Sequence, residues 1–263
     1  MKSHKRRPPL TIILIAGTTI CFFALPLIAL IQRGSWHSFG SQIATPQAWN
    51  ALRLSLACSM AAATISVLFG LPLAWMLARI EFPGRSVVRA LVLLPLVLPP
   101  VVGGVALLAA FSRHGLLGAP MYRWFGMQLT YTTAGAILAE TFVALPFFVI
   151  TVEAALRLMD TRYEDVAATL GASRWVIFRR VTLPMIAPAL VAGTVLAWAR
   201  ALGEFGATLT FAGNIIGKTQ TLPLAIYQTL DTDPDTAIAL SLVLLAISMV
   251  VLIALREQWL QRL

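Results

Sequence analysis

Residues 10–31 read LTIILIAGTTICFFALPLIALI, a continuous apolar run without a charged side chain. A helix needs about 20 apolar residues to cross the hydrocarbon core of a bilayer, so this run is long enough to span it. Five further apolar runs of similar length follow along the chain. The sequence therefore predicts an all-α, polytopic membrane protein of about six transmembrane helices. The predicted spans are 10–31, 52–78, 87–111, 132–152, 181–202 and 237–255.

The composition favours a membrane protein and argues against a soluble one. Hydrophobic residues make up 59% of the chain and charged residues 12%, whereas a soluble domain carries about 25% charged residues. The net charge is +9, but the basic residues stand in short segments between apolar runs and do not form one basic face. We therefore exclude nucleic acid as a partner and expect membrane lipid to surround the chain.

The positions of the basic residues predict how the chain is oriented. With the N-terminus in the cytoplasm, most of the 20 Lys and Arg residues fall on inner segments, as the positive-inside rule requires. Residues 1–9 then form a cytoplasmic basic tail. Residues 10–263 form one transmembrane domain whose C-terminus is also cytoplasmic.

One inner segment, residues 153–180, is long and rich in charges of both signs. Residues 163–170 have a helical pattern that Gly171 interrupts, and residues 174–180 predict a second short helix that ends before Leu183-Pro184. A long structured loop in a compact membrane protein is a candidate docking element. We therefore expect this segment to bind a cytoplasmic partner.

The same segment resembles the coupling loop, or EAA loop, of ABC importer permeases. Gly171, Val181, Leu183 and Pro184 stand at the spacings of the family pattern. Asp165 stands where the family has Glu, with Glu164 beside it, and Val166-Ala167 replace the two alanines. In that family the loop docks on a cytoplasmic ATPase. The resemblance implies that role for Glu164, Asp165, Ala167, Ala168, Gly171, Leu183 and Pro184.

Two further stretches narrow the resemblance. Residues 93–104 read LLPLVLPPVVGG, and residues 199–211 read ARALGEFGATLTF, followed by Thr221-Leu222-Pro223. Together they resemble the molybdate permeases and, more loosely, the sulfate and tungstate permeases. The resemblance implies a type I ABC importer permease fold and a molybdate substrate. Tungstate and sulfate or thiosulfate remain open as alternatives.

The residues in these two stretches are also the candidates for the transport pathway. Prolines within a span free backbone groups, which membrane proteins tolerate only against protein or a water-lined cavity. Arg200 and Glu204 have the i, i+4 spacing of an ion pair, which would either shape the pathway or simply join helices. Glu140, in the fourth span, has no partner that the sequence identifies. The pathway candidates are Pro99, Pro100, Arg200, Gly203, Glu204, Gly206 and Thr208.

The sequence contains no candidate catalytic set, metal cluster or cofactor site. Residues 213–219 resemble a phosphate-binding loop but have three residues between the glycines where that loop needs four. We therefore expect ATP hydrolysis on a separate ATPase. The resemblance implies three protein partners in the plasma membrane of a prokaryote: a second copy of the chain, the ATPase subunits and an extracytoplasmic oxyanion-binding protein. The alternative from another class is an ATP-independent secondary transporter, although we find no internal repeat of the kind common there.

Overall fold

The computed structural model of the chain describes residues 9–260. The predicted basic tail therefore lies outside the described residues, except for Pro9. All regular structure in the described range is helical, as predicted. The helices are α1 (Leu10–Gln32), α2 (Phe39–Ile43), α3 (Pro46–Arg79), α4 (Arg85–Val97), α5 (Pro100–Phe111), α6 (Gly118–Phe125), α7 (Thr133–Leu158), α8 (Arg162–Thr169), α9 (Arg174–Ile177), α10 (Leu183–Leu202), α11 (Gly206–Ala212), α12 (Leu222–Thr229) and α13 (Pro234–Leu260), with a π-helical turn at Phe178–Thr182 between α9 and α10.

Five helices of the described range are long and apolar enough to cross a membrane. They correspond to five of the six predicted spans, which the structure confirms with somewhat different ends. The second span is the most extended, because α3 begins at Pro46 and its first turn is capped by the Thr45 hydroxyl, which accepts the Ala48 N–H. The five helices are Leu10–Gln32, Pro46–Arg79, Thr133–Leu158, Arg174–Leu202 and Pro234–Val251 within α13.

The third predicted span, 87–111, is not one helix. It is divided into α4 and α5 at Leu98-Pro99, where both residues have extended backbone. Two successive prolines explain the break, because each lacks an N–H and disfavours helical geometry in the residue before it. At 13 and 12 residues, α4 and α5 are each about 20 Å long or less, so only the two together could cross a core of about 30 Å.

The core of the bundle lies between α3, α7 and α10. Small residues such as Ala62, Ala144 and Ala197 bring these helices close together, and Phe148 and Leu77 fill the space between them. In contrast, α1 has no buried residue. A helix that is apolar on all sides and unburied in the isolated chain suits lipid or another protein as its surroundings.

The segment after α7 differs in two details from the one predicted from the sequence. The predicted loop starts at residue 153, whereas α7 continues to Leu158, and Glu153 pairs with Arg89 and Arg157. The second short helix also does not end before Leu183-Pro184. It passes from α9 through the π-helical turn directly into α10, since Pro184 stands in the first turn of α10, where a proline is tolerated.

Candidate functional site

The first candidate site is the segment from α8 to the start of α10, which lies at one end of the bundle, beside the end of α3. Gly171 ends α8 with φ +81°, in the left-handed region that favours glycine. The Gly171 N–H donates to the Ala168 carbonyl and the Ala172 N–H donates to the Ala167 carbonyl. These two bonds form a Schellman motif, so the predicted bend at Gly171 is present and has a defined geometry.

The outward face of α8 is apolar and exposed. Tyr163 is 59% exposed, Val166 59% and Leu170 82%, and Trp175 of α9 adds a fourth large apolar side chain at 67%. Asp165 and Ala168 are also exposed, whereas Ala167 is half-buried. Several large exposed apolar side chains on one short charged segment are typical of a protein docking surface. We call Tyr163, Val166, Leu170 and Trp175 the α8 surface.

Glu164 points away from the α8 surface and toward the bundle. Its Oε1 accepts a hydrogen bond from the Thr182 hydroxyl at 2.6 Å, and its Oε2 lies 3.5 Å from Arg79 Nη2. The side chain is 20% exposed, so both contacts are partly shielded from solvent. Asp165, in contrast, is exposed and forms no ion pair within residues 9–260.

A second ion-pair network fixes the same end of the bundle. Glu153 Oε1 lies 2.7 Å from both Arg89 Nη2 and Arg157 Nη2. Arg85 and Arg89 of α4 also donate to the Leu77 carbonyl near the end of α3. Apolar side chains such as leucine and alanine cannot form the directional hydrogen bonds and ion pairs that restrain these helix ends. The network therefore holds α3, α4 and α7 together beside α8.

Leu183 and Pro184, the last members of the predicted coupling motif, begin α10. Leu183 is half-buried and packs against the core of the bundle, while Pro184 is exposed. Thr182, just before them, is buried. This end of α10 is therefore both anchored in the core and continuous with the α8 segment.

The second candidate site lies where two broken helices meet. The break between α4 and α5 ends at Pro100, and the break between α10 and α11 ends at Gly206. A Cβ placed on Gly206 would lie 2.8 Å from the Pro100 Cβ, so a larger residue would push the two breaks apart. Gly203, in contrast, has space around it and negative φ, so the structure gives no steric reason for glycine there.

The Arg200–Glu204 pair forms as the i, i+4 spacing predicts. Arg200 Nη1 lies 2.7 Å from Glu204 Oε2, and Glu204 Oε1 accepts the Ala207 N–H at 2.8 Å. Glu204 is 1% exposed, while the Arg200 side chain is 27% exposed. Both carboxylate oxygens are therefore satisfied, and the arginine extends from the buried carboxylate toward the surface.

Thr208 and Glu140 lie buried in the same part of the bundle. Within residues 9–260, Thr208 Oγ1 and Glu140 Oε2 have no hydrogen-bond partner. Buried polar atoms are normally paired, and the exceptions tend to occur at functional positions. The structure thus brings Pro100, Gly206 and the Arg200–Glu204 pair into one region.

Sequence reasoning missed the two partners of Glu164. Arg79 precedes Glu164 by 85 positions and Thr182 follows it by 18, so neither shows a helical spacing to it. The sequence alone gives neither Arg79 nor Thr182 a role in the site. Only the packing of α8 against the bundle reveals these contacts.

The chain is similar to known proteins both in sequence and in fold. The model of the family described as the inner membrane component of binding-protein-dependent transport systems matches residues 66–262. The molybdenum transport system permease protein ModB of Mycobacterium tuberculosis is 51% identical over 241 residues, which cover 91% of this chain and 89% of that protein. The sulfate transport system permease protein CysT of Escherichia coli is 39% identical over 247 residues, again 91% and 89% of the two chains.

Among solved structures, a chain of a bacterial alginate ABC transporter, in complex with a periplasmic protein bound to alginate pentasaccharide, has a TM-score of 0.75. It is 20% identical, and the match covers 94% of this chain and 93% of that chain. At that identity the likeness concerns the fold, which is the permease fold that the sequence predicted.

This chain belongs to the family of inner membrane components of binding-protein-dependent transport systems, so it is the multi-pass permease component of an ABC importer. Within that family its relatives include molybdenum and sulfate transport permeases.

Proposed function

We propose that this chain is the permease of an importer that moves molybdate into the cytoplasm and is driven by ATP hydrolysis on a partner ATPase. Two copies of the chain form the pathway, and the ATPase docks on the α8 surface. An oxyanion-binding protein delivers the substrate from the other side of the membrane. The permease itself catalyses no reaction.

The observation that carries this proposal is the α8 surface. Four large apolar side chains are exposed on a segment whose other side is fixed to the bundle by Glu164. Lipid is an unsuitable environment for the segment as a whole, because α8 also exposes Asp165 and Arg162. In an aqueous compartment, water would solvate the charged side chains and a docked protein would cover the apolar ones.

The orientation follows from the same assignment. If the ATPase docks on α8, the α8 end of the bundle is cytoplasmic, and both termini of the chain lie on that side. The arginine residues concentrated at this end agree with the positive-inside rule. The domain is then residues 10–263, preceded by a cytoplasmic tail, and lies in the plasma membrane of a prokaryote.

The transport cycle follows from two states of the permease dimer. ATP binding draws the ATPase subunits together, and the α8 segments move with them. The bundles then rock to open the pathway outward, and hydrolysis returns them to the inward-open state. ATP drives this change because the ATPase binds it differently in the two states.

The pathway runs past the two helix breaks. Helices interrupted at membrane depth are typical of regions that line a cavity, and the breaks at Leu98-Pro99 and Gly203–Phe205 adjoin each other through Pro100 and Gly206. Arg200 compensates the Glu204 charge, so this carboxylate does not repel a passing dianion. Gly203 and Thr208 complete the set of residues that we assign to the pathway or its gate.

The substrate is inferred from the relatives. The molybdenum permease of M. tuberculosis is 51% identical to this chain and the sulfate permease of E. coli 39%, so molybdate is favoured. Tungstate has nearly the same size and charge as molybdate. Sulfate is the second candidate, because its permeases match over an equal share of the chain.

A pair of leucine variants tests the docking of the ATPase. Leu170→Asp places a charge in the α8 surface, so we expect the ATPase to be lost when the permease is purified from membranes. Leu116→Asp is the matched control, since Leu116 is 83% exposed but lies between α5 and α6, at the other end of the bundle. Retention of the ATPase by Leu170→Asp would contradict the proposal.

A further inference from the structure

α8 contacts the bundle through one narrow face. None of its eight residues is buried, and the two that turn inward, Glu164 and Ala167, are half-buried. An alanine methyl group offers little contact area. The side-chain contacts of Glu164 therefore decide how closely α8 follows movements of the bundle, apart from the chain connections at its two ends.

Glu164 makes contact with two different helices. The Thr182 hydroxyl donates to its Oε1 at 2.6 Å, and Arg79 Nη2 lies 3.5 Å from its Oε2. Arg79 is the last residue of α3, and Thr182 is the last residue of the π-helical turn that leads into α10. One carboxylate thus connects α8 to the core helix α3 and to the turn that leads into the core helix α10.

Arg79 depends on this contact for charge compensation. Its side chain is 15% exposed, and its Nε and Nη2 atoms have no hydrogen-bond partner within residues 9–260. Glu164 is the carboxylate that the structure pairs with it. Loss of the carboxylate would leave a largely buried guanidinium without a counter-charge, which is unfavourable.

Thr182 is the last residue of the π-helical turn at Phe178–Thr182. π-helical turns are rare and occur often at functional positions. Here the turn separates the exposed α9 from the core helix α10. A hydrogen bond from this turn to Glu164 fixes its position relative to α8.

We propose that Glu164 is a positioning residue that transmits movement of the docked ATPase to α3 and α10, and that it makes no contact with the ATPase itself. This inference rests on the proposed function. It has Glu164 face the bundle, whereas Asp165 faces the docked ATPase. The ATPase moves the α8 surface, and the Glu164 contacts with Arg79 and Thr182 convert that movement into movement of the core helices.

The test measures two quantities in vesicles that contain the whole transporter: ATP hydrolysed and labelled molybdate taken up. Glu164→Gln keeps an oxygen for the Thr182 hydroxyl but removes the charge that faces Arg79. Thr182→Val removes the hydroxyl and keeps the shape. Glu81→Gln is the matched control, because Glu81 is an exposed carboxylate in the loop after α3, without an ion pair among the described residues.

We expect Glu164→Gln and Thr182→Val to retain the ATPase on purification and to hydrolyse ATP. The molybdate taken up per ATP should fall by roughly 3- to 30-fold, the range that residues along a coupling route typically control. Glu81→Gln should behave as wild type. A normal uptake ratio in both test variants, or loss of the ATPase from Glu164→Gln, would overturn the inference.

A double variant separates lost transmission from the effect of an unpaired arginine. Arg79→Gln combined with Glu164→Gln leaves no unpaired charge but still lacks the connection, so uptake per ATP should remain low. Recovery of the ratio would mean that the role of Glu164 is only to neutralise Arg79. If wild type itself took up no molybdate with ATP, the proposed function would fail instead.

Discussion

At the scale of single residues, the Arg200–Glu204 pair shows how a buried charge is accommodated beside the end of a membrane-spanning helix. Glu204 is buried, and a buried carboxylate is tolerated when a cation and a hydrogen-bond donor satisfy it. Arg200 supplies the first and the Ala207 N–H the second. The arginine is partly exposed, so its own charge can still reach a polar environment.

This asymmetry predicts unequal effects of neutralising the two partners. Arg200→Gln leaves the buried Glu204 carboxylate without its cation and should destabilise the fold by roughly 3–5 kcal/mol. Glu204→Gln keeps an oxygen for the Ala207 N–H and leaves only a partly exposed arginine, so it should cost about 1 kcal/mol. The measurement is the unfolding temperature of each purified variant in detergent, monitored by size-exclusion chromatography after heating. These temperatures give the order of stabilities.

The control for this pair is Arg53→Gln. Arg53 is exposed on α3 and has no ion pair among the described residues, so its replacement should leave the unfolding temperature unchanged. A lower unfolding temperature for Glu204→Gln than for Arg200→Gln would show that the carboxylate, and not its compensation, determines stability at this position.

Single residues also show what local sequence can and cannot predict. The Arg200–Glu204 pair was predicted correctly because its two members are one helical turn apart, and the bend at Gly171 because glycine favours positive φ. The contacts of Glu164 with Arg79 and Thr182 were not predicted, since they depend on how α8 lies against two other helices. No spacing rule connects residues that far apart in the chain.

At the scale of helices, the breaks define the candidate pathway. α4 and α5 together replace one predicted span, and the break between α10 and α11 lies against theirs. The apolar pattern predicted where the chain crosses the membrane, because hydropathy is a local property. It could not predict the break at Leu98-Pro99, because proline also occurs inside continuous helices such as α1 and α7.

A proline double variant tests the role of the break. Replacement of Pro99 and Pro100 by alanine restores two N–H groups and helix-forming residues, so α4 and α5 should approach one continuous helix. We expect the variant to insert and to retain the ATPase, while molybdate uptake falls at least about tenfold. Uptake in vesicles, normalised to the amount of permease, is the measurement.

Pro26→Ala serves as the control for that variant. Pro26 lies inside α1, where the helix continues through it and no residue is buried. Its replacement should leave uptake close to that of wild type. Uptake at the wild-type level by the Pro99 and Pro100 double variant would mean that transport does not depend on the helix break.

At the scale of the whole molecule, the two candidate sites occupy different parts of one bundle. The α8 segment is fixed to α3 and α10 by Glu164, and α10 ends at the break beside Glu204. α10 therefore connects the segment that we assign to the ATPase with the region that we assign to the anion. Rigid-body rocking of such a helix would move both of its ends together.

The measurement that tests the central claim most directly is uptake of labelled molybdate by vesicles that contain the permease, its ATPase and its binding protein. We predict uptake that requires ATP, that is lost with an ATPase unable to hydrolyse it, and that excess tungstate blocks but excess sulfate does not. Uptake without ATP would contradict the account and indicate a secondary transporter. Uptake blocked by sulfate would keep the importer but replace molybdate with sulfate as its substrate.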